Sequence, residues 1–545
     1  MYLALIRDPA GVSIAELDAD GSPILTPTPV DDVAATVRAR EQPGVRWVWN
    51  DTSVWYPPLL AAGVRVERCV DLRLTHAILR ASTLTASSRL ARAPRSRWDD
   101  PTPEPRQPTG GLFEVEAPDP PDDVVAEFAA QRAAIAASSE RSRLSLLIAA
   151  ESAGALVAAE LRFAGLPWRR DRHEALLERL LGPRPVAGQR PATMQAALDR
   201  LRGELGSDDV NPDSPPELLK ALQRAGIPAT STRSWDLERL EHPAMEPLLE
   251  YKKLARLASA SGWQWLDANV VDGRFHPDYV PGGVVTGRWA SKGGGGALQL
   301  PRQVRGAVVA DPGWTLVVAD AAQLEPRILA ALAGDRAMAE AGAAGDLYAG
   351  IVAAGAVDSR DHAKVAMLGA KYGATTGESG RLLPRLARAF PRAIALVEEA
   401  ARAGERGEIV TTRLGRSSPP GISPGYDETA SAAEQQAATA RSRSWGRFTR
   451  NFVVQGTAAE WALCWMAGLR GRLRALGPSD DLRAEPHLVF FLHDELVVHS
   501  PTGLADRVAD ALREAALDAG RLLFGEIPVP FPVTVAVVDD YAQAK

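Results

Sequence analysis

The chain has 545 residues, of which 46% are hydrophobic and 24% charged, and its formal net charge is −6. This length suggests about three or four domains with sizeable cores, and the ordinary composition excludes wholesale disorder. The two cysteines, Cys69 and Cys464, form no CxxC pair, which argues against a disulfide framework or a zinc site. The sequence has neither a basic leader nor about 18 uninterrupted apolar residues, so we expect a soluble protein that is not exported.

The balance of cations is uneven, because the 62 Lys and Arg residues comprise 7 lysines and 55 arginines. Because lysine is rare in this chain, a lysine within a candidate site is less often a generic surface residue than it would be in an average protein. The net charge does not by itself indicate a nucleic-acid partner, although a basic channel can coexist with an acidic exterior.

The N-terminal 80 residues alternate short strand and helix patterns, with apolar runs at Tyr2–Ile6 and Val45–Trp49. They predict a small α/β domain. A stretch rich in Pro, Ser, Arg and Asp follows at about 82–123 and predicts a linker or long loop, because it can bury little apolar surface. From 124 to about 260, an Ala- and Leu-rich pattern of helical period predicts a helical region.

Strand patterns return in the C-terminal half, at Thr315–Asp320 and Leu488–Leu492, on either side of a helical block at about 336–402. The sequence therefore predicts a multidomain α+β chain whose C-terminal strands come from separated segments.

Asp320 ends the first of these strands, and an amphipathic helix is predicted to begin a few residues later. A carboxylate at the end of a buried strand is held by a rigid backbone at the margin of the sheet, where a metal ion can reach it. The alternative is that Asp320 only caps the following helix.

His493, Asp494 and Glu495 stand between two apolar runs, which predicts a hairpin with a polar tip. Several ionisable groups in such a place are costly unless they are solvated, paired or bound to metal. The alternative is an ordinary solvated turn.

A third segment places Arg360, Lys364, Leu368 and Tyr372 at a spacing of four, and hence on one side of a helix. Two cations one turn apart repel each other and favour an anionic ligand such as a polyphosphate. The alternative is an exposed basic helix face.

Together, these three segments resemble the signature motifs of family A DNA polymerases, the DNA polymerase I type. The first palm motif of that family reads Asp-Tyr-Ser-Gln-Ile-Glu-Leu-Arg, and this chain keeps Asp320, Gln323, Glu325 and Arg327 in register. The fingers helix, Arg-x-x-x-Lys-x-x-x-Phe-Gly-x-x-Tyr-Gly, is matched except that Leu368 replaces Phe. The last palm motif, His-Asp-Glu after an apolar strand, is intact.

Three further segments resemble elements of the family and bring the ordered matches to six over about 210 residues. They are Thr286-Gly287-Arg288 with Leu298-Gln299, Thr412 with Gly415-Arg416, and Arg447, Asn451 and Gln455 at a spacing of four.

The resemblance implies a right-hand polymerase fold of palm, fingers and thumb, preceded by a ribonuclease H-like α/β domain of the 3′–5′ exonuclease type. The implied divisions are 1–123 for the exonuclease-like domain with its Pro-rich linker, 124–260 for a helical region that includes the thumb, 261–335 and 445–545 for the palm, and 336–444 for the fingers.

The resemblance also implies a DNA polymerase that adds deoxynucleotides to a primer 3′-hydroxyl by a two-metal mechanism. Asp320 and Asp494 would bind two Mg²⁺ ions, with Mn²⁺ as a substitute, and Glu495 would contribute more weakly. Lys364 would also protonate the leaving group, and Glu325 would block a ribose 2′-hydroxyl.

The implied partners are primer–template DNA and deoxynucleoside triphosphates, with no membrane, for a monomer in the bacterial cytoplasm associated with the nucleoid. The implied nucleotide-binding residues are Arg360, Lys364, Leu368, Tyr372, Gln323 and Glu325. The implied DNA-binding residues are Arg288, Gln299, Arg447, Asn451, Gln455 and His493.

Several positions depart from the family pattern around the nucleotide. Ala321 and Ala322 replace Tyr and Ser, Leu368 replaces an aromatic residue, and Tyr348 stands where a His usually contacts phosphate. A metal site that is retained beside an altered nucleotide pocket suggests polymerase activity with weaker or unusual nucleotide selection.

The segments 48–51 and 68–72 resemble the second part of the exonuclease domain, but its other acids are missing. The first strand has no Asp-x-Glu, and the late helix offers Phe128 and Arg132 where Tyr and Asp are needed. Asp51 and Asp71 would form at best half a site, so we expect a structural domain without nuclease activity. We expect no 5′-nuclease domain before it.

Two alternatives to a polymerase without proofreading stay open at this point. One is a catalytically retired protein that only holds primer–template DNA. The other is a bifunctional polymerase and 3′–5′ exonuclease, which requires carboxylates that the sequence does not offer.

Overall fold

The computed structural model describes residues 1–9, 11–100, 123–292, 296, 298, 300–373, 377–421, 431–477 and 479–544. It divides the chain into two compact units. Unit 1 comprises Met1–Ala164, Tyr279–Ala290 and Val317–Val537, and unit 2 comprises Gly165–Asp278, Ser291–Leu316 and Val538–Lys545.

Unit 1 begins with a five-stranded sheet of order β3-β2-β1-β4-β5, in which β2 is antiparallel to β1, and β4 and β5 continue in parallel. Its elements are β1 (Tyr2–Asp8), β2 (Gly11–Leu17), β3 (Thr28–Val30), α1 (Val33–Arg40), β4 (Arg46–Trp49), α2 (Thr52–Ala61), β5 (Cys69–Asp71) and α3 (Leu72–Ala81).

Both faces of this sheet are covered. Because side chains alternate along a strand, β1 contributes Leu3 and Leu5 to one core with Trp47, and Ala4 to a second core with Val48. The predicted alternation of strands and helices in the N-terminal 80 residues is confirmed.

The first part of the predicted linker is packed rather than extended. After a short turn at Thr83–Thr85, α4 (Arg89–Arg92) and a turn at Arg97–Asp99 follow. Leu90 and Trp98 are buried in the core of unit 1, so a few apolar side chains suffice to anchor a polar segment. The rest of the predicted linker, 101–122, lies outside the described residues.

Two helices complete the N-terminal part of unit 1, α5 (Val124–Ala136) and α6 (Arg141–Ala164). Among the described helices, α6 is long and apolar enough to cross a membrane by length and composition alone. However, 72% of its most apolar window is buried inside the protein, as is usual for a core helix.

Unit 2 is mainly helical, with a small sheet of order β6-β8-β7. An aromatic core of Trp168, Trp265 and Phe275 lies beside that sheet. Its elements are β6 (Leu166–Pro167), α7 (Arg170–Leu181), α8 (Ala192–Leu205), α9 (Pro215–Arg224), α10 (Ser234–Leu237), α11 (Met245–Ser261), α12 (Trp263–Asn269), β7 (Val270–Val271) and β8 (Arg274–Phe275). The helical prediction for 124–260 is confirmed by α5 to α11.

The remaining elements carry the candidate site. They are β9 (Tyr279–Val280), β10 (Ala290–Ser291), β11 (Trp314–Ala321), α13 (Leu324–Ala333), α14 (Arg336–Ala343), α15 (Leu347–Ala353), α16 (Arg360–Tyr372), α17 (Gly377–Ala389), α18 (Pro391–Glu405), α19 (Ala432–Leu476), β12 (His487–Leu492), β13 (Glu495–Pro501), α20 (Ala505–Phe524) and β14 (Val533–Val538).

A four-stranded sheet of order β12-β13-β11-β14 organises this part of the chain. Both predicted C-terminal strands are confirmed, because β11 covers 314–321 and β12 covers 487–492. The two strands lie far apart in the sequence, and β13 lies between them in the sheet. Helix α19 packs against α18 and α20 and also contacts α6.

Candidate active site

Asp320 lies near the end of β11, and Asp494 lies in the turn that leads into the neighbouring strand β13. The backbone N–H of Ala321, the residue after Asp320, donates to the carbonyl oxygen of Asp494 at 2.9 Å. This bond links the end of β11 to the turn between β12 and β13. The structure therefore brings the two predicted acids to one edge of the sheet on rigid backbone.

The predicted hairpin with a polar tip is confirmed. Leu492 and Glu495 pair across β12 and β13, which leaves His493 and Asp494 as a two-residue turn. His493 has a positive φ of 58°, as the first residue of such a turn requires. Glu495 is 2% exposed, so the start of β13 turns its side chain into the protein.

The alternative role of Asp320 as a helix cap is wrong. The N-cap of α13 is Gln323, in the left-handed conformation, and Asp320 lies within β11. The amide of Gln323 donates to Asp346 Oδ1 at 2.7 Å and accepts from the Leu347 N–H at 2.8 Å. Gln323 thus ties the start of α13 to the start of α15.

The predicted face of α16 is exposed, and the opposite side of the helix is buried. Lys364, Leu368 and Tyr372 point outward, and Leu368 and Tyr372 are 41% and 48% exposed. The opposite face is buried and is formed by four small or apolar residues, namely Ala363, Ala366, Met367 and Ala370. The spacing of four therefore predicts the shared side correctly.

Arg360, at the start of α16, donates from Nε to Asp346 Oδ2 at 2.8 Å, and its guanidinium lies 5.6 Å from the ring centre of Tyr348. Burial raises the pKa of Asp346, but hydrogen bonds from Arg360 and Gln323 outweigh this effect and lower the pKa to about 2. Arg360 is more than half exposed, so its outer nitrogens can meet a ligand.

The far end of α16 is anchored to α19. Gly373 ends α16 in the left-handed conformation that glycine favours, and a Cβ there would lie 3.3 Å from the Arg447 side chain. Arg450 donates to the Ala370 carbonyl at 2.7 Å. These contacts hold the exposed face of α16 at a set position beside α19.

Arg447, Asn451 and Gln455 are the accessible positions on one side of α19, where most neighbouring residues are buried. Their predicted spacing of four is confirmed as a common helix face. Gln299, which was predicted to contact DNA as well, lies outside the described residues.

Arg288 is placed near Asp494 by a packed loop. Gly287 has φ +84°, and a Cβ there would lie 2.5 Å from Arg416 Nε, so this position requires glycine. Arg416 is itself fixed by Glu151 at 2.6 Å. Burial lowers the pKa of Arg288 and outweighs the opposite effect of the neighbouring Asp494 and Tyr372.

Glu325, in the first turn of α13, is held by two cations. Arg288 contacts its Oε1 and Lys371 contacts its Oε2. Sequence reasoning missed Lys371, although one signal was available, since it is one of only 7 lysines and falls on the buried side of a largely apolar helix.

Within the part of the chain that the structure describes, no group of three or more His, Cys, Asp or Glu side chains could hold a metal ion. The candidate donors at this edge are therefore the carboxylates of Asp320 and Asp494. Two carboxylates fit Mg²⁺, which usually completes its octahedron with water and substrate phosphate oxygens.

Residues 188–543 match the family model described as DNA polymerase family A. The chain belongs to this family. A thermostable DNA polymerase I of Thermus filiformis is 27% identical over 400 residues, which cover 65% of this chain and 44% of the relative. DNA polymerase I of Chloroflexus aurantiacus is 29% identical over 350 residues, which cover 58% of this chain and 34% of the relative.

The matched regions thus span less than half the length of these relatives. Among solved structures, the polymerase domain of Pol1 from M. smegmatis, in complex with DNA primer–template and dNTP, matches with a TM-score of 0.69 and 21% identity. The match covers 99% of this chain and 95% of that one, which shows a common fold.

The family A resemblance and the mixed α+β fold with palm, fingers and thumb are thereby confirmed. The assigned limits of these three regions, and the ribonuclease H-like exonuclease assignment of the N-terminal sheet, stay predictions.

Asp51 and Asp71, the two acids of the predicted half-site in the N-terminal region, both cap helices. Asp51 accepts from the Ser53 N–H at 2.8 Å at the start of α2, and Asp71 accepts from the Leu74 N–H at 3.0 Å at the start of α3. Burial and the charge of Asp51 raise the pKa of Asp71 to about 7. Arg132 donates to the Ala19 carbonyl at 2.8 Å.

Proposed function

We propose that this family A chain is a template-directed DNA polymerase that adds deoxynucleotides to a primer 3′-hydroxyl and lacks exonuclease activity. The observation that carries the proposal is the backbone hydrogen bond between Ala321 and Asp494. It brings Asp320 and Asp494 to one edge of a sheet, as a site for nucleotidyl transfer requires.

In this proposal, Asp320 and Asp494 hold two Mg²⁺ ions, for which Mn²⁺ can substitute. When bound, the metal favours the ionised 3′-hydroxyl and neutralises charge on the leaving pyrophosphate. Glu495 supports the site from its buried position at the start of β13, through the backbone that it shares with Asp494.

The exposed face of α16 binds the nucleotide. Arg360 and Lys364, one turn apart, bind the β- and γ-phosphates with charge-assisted hydrogen bonds, and Lys364 protonates the leaving group. Leu368 and Tyr372 follow on the same face and contact the sugar and base. Gln323 supports this pocket through its hydrogen bond to Asp346, the partner of Arg360.

The proposal also assigns contacts to the primer–template. We assign them to Arg288 and His493 beside the acids, to Gln299, and to the α19 face formed by Arg447, Asn451 and Gln455. Glu325 closes the side of the nucleotide pocket on which a ribose 2′-hydroxyl would lie. The proposed state is a monomer in the bacterial cytoplasm, associated with the nucleoid and not with a membrane.

The proposal is tested by primer extension with Mg²⁺ and labelled DNA. Asp320→Asn and Asp494→Asn each remove a metal-binding charge, so extension should fall by several orders of magnitude while DNA binding persists. Asp506→Asn, at an exposed position in the first turn of α20, is the matched control and should extend normally.

Full extension by either site variant would refute the assignment of the two acids. A wild-type protein that binds primer–template but adds no nucleotide would instead indicate a retired binding protein. Removal of 3′ nucleotides that survives Asp494→Asn would indicate a bifunctional polymerase and exonuclease.

A further inference from the structure

Lys371 is a buried cation beside the proposed nucleotide pocket. It is the penultimate residue of α16, its side chain is 5% exposed, and its ammonium contacts Glu325 Oε2. The same ammonium lies 5.1 Å from the ring centre of Tyr372, which belongs to the exposed face of the helix. Lys371 therefore links the buried side of α16 to two residues of the proposed pocket.

Packing alone does not explain a lysine at this position. The other buried side chains of α16 are small or apolar, and a methionine would fill a similar volume. Burying an ammonium is costly unless a counter-charge compensates for its lost solvation. The compensating group is Glu325, which lies on a different helix, α13.

Glu325 is held at both carboxylate oxygens, by Arg288 at Oε1 and by Lys371 at Oε2. The two cations differ in exposure, because the Arg288 side chain is 39% exposed and that of Lys371 only 5%. Arg288 is assigned above to the primer–template, so DNA would compete with Glu325 for its guanidinium. Lys371 is enclosed and remains with Glu325.

We propose that Lys371 is a positioning residue that fixes Glu325 against the nucleotide sugar and thereby sets discrimination against ribonucleotides. The proposal rests on the polymerase function proposed above. A glutamate has three rotatable side-chain bonds, and a single contact to Arg288, which is also assigned to DNA, leaves its carboxylate able to turn. A second, buried contact defines the plane of the carboxylate and keeps it rigid whether or not DNA engages Arg288.

The test is single-nucleotide primer extension with ribo- and deoxyribonucleotides of the same base, with kcat and KM measured for each. Lys371→Met removes the charge and keeps the length of the side chain. The ribo-to-deoxy ratio of kcat/KM should rise about tenfold, the effect of losing one charge-assisted contact. The rise should come mainly from a lower KM for the ribonucleotide, because a loosened Glu325 no longer excludes the 2′-hydroxyl.

Two further variants separate this role from general loosening of the helix. Met367→Leu changes a buried, uncharged side chain of α16 with little change in volume and should leave the ratio unaltered. In a Glu325→Gln background, Lys371→Met should cause no additional change, because the two residues act through one contact. Lys371→Gln, which keeps a neutral donor, replaces Lys371→Met if the latter fails to fold.

An active Lys371→Met enzyme with an unchanged ratio would overturn the proposal. So would an equal change in Met367→Leu, or an effect of Lys371→Met that persists in the Glu325→Gln background. A wild-type protein that adds no nucleotide at all would overturn the proposed function and this inference together. An active wild type with an unresponsive ratio would overturn the inference alone.

Discussion

Glu160 of α6 lies at the centre of a buried charge cluster that joins α6 to α2 and α19. Its carboxylate accepts from Arg470 at 2.8 and 3.0 Å and from the Tyr56 hydroxyl at 2.7 Å. Arg65 lies 3.7 Å away. All four side chains are almost fully buried, so the cluster connects the N-terminal sheet region to the long helix that carries the proposed DNA-binding face.

Glu160→Gln should destabilise unit 1 strongly. Burial raises the pKa of Glu160, but Arg470 and Arg65 outweigh that effect and lower it to about 2, against an ordinary value of 4.5. This difference corresponds to about 3 kcal/mol of stability. Removing the carboxylate also leaves two buried arginines without their counter-charge, for which about 3–5 kcal/mol is typical.

The stabilisation has a defined pH dependence. Because the pKa of Glu160 is lowered on folding, the stabilisation is fully present above about pH 4.5 and is lost as the pH falls towards about 2. Urea unfolding of the wild type and Glu160→Gln should therefore differ most at neutral pH, and the difference should shrink between about pH 4.5 and 2.

The control is Glu340→Gln, which breaks an exposed pair with Arg336 and should change stability little. A loss below about 1 kcal/mol for Glu160→Gln at pH 7 would refute the reasoning, since buried pairs usually cost more to break. A loss of the same size at every pH would show that the carboxylate charge is not the cause.

Three further predictions concern the catalytic proposals. Lys364→Ala removes a phosphate contact worth about 1.5–3 kcal/mol, so nucleotide incorporation should fall at least about tenfold, with Arg360→Ala acting similarly. A change in DNA affinity alone would contradict this. Leu368→Phe should lower the nucleotide KM, because stacking on a base is worth about 1–3 kcal/mol, and an unchanged KM in steady-state extension would argue against that contact. Given Mg²⁺ or Mn²⁺ without nucleotides, the protein should leave a mismatched primer 3′ end intact. Degradation of that end which Asp51→Ala or Asp71→Ala abolishes would indicate an active proofreading site.

Local patterns predicted much of the secondary structure and the polar segments of the candidate site. The apolar runs at 315–320 and 488–492 identified β11 and β12, and the spacing of four identified the exposed face of α16. Composition was less reliable at 83–100, where Leu90 and Trp98 are buried within a segment that reads as a linker. Two apolar side chains at the right places outweighed many polar neighbours.

The sequence by itself determined which side chains are available and which of them share a strand end or a helix face, because these depend on residues a few positions apart. Only the tertiary structure decided that β13 lies beside β11, so that Asp320 and Asp494 meet at one edge. It also decided that Lys371 faces Glu325 rather than solvent. Such pairs depend on how separate elements pack, and no local periodicity records them.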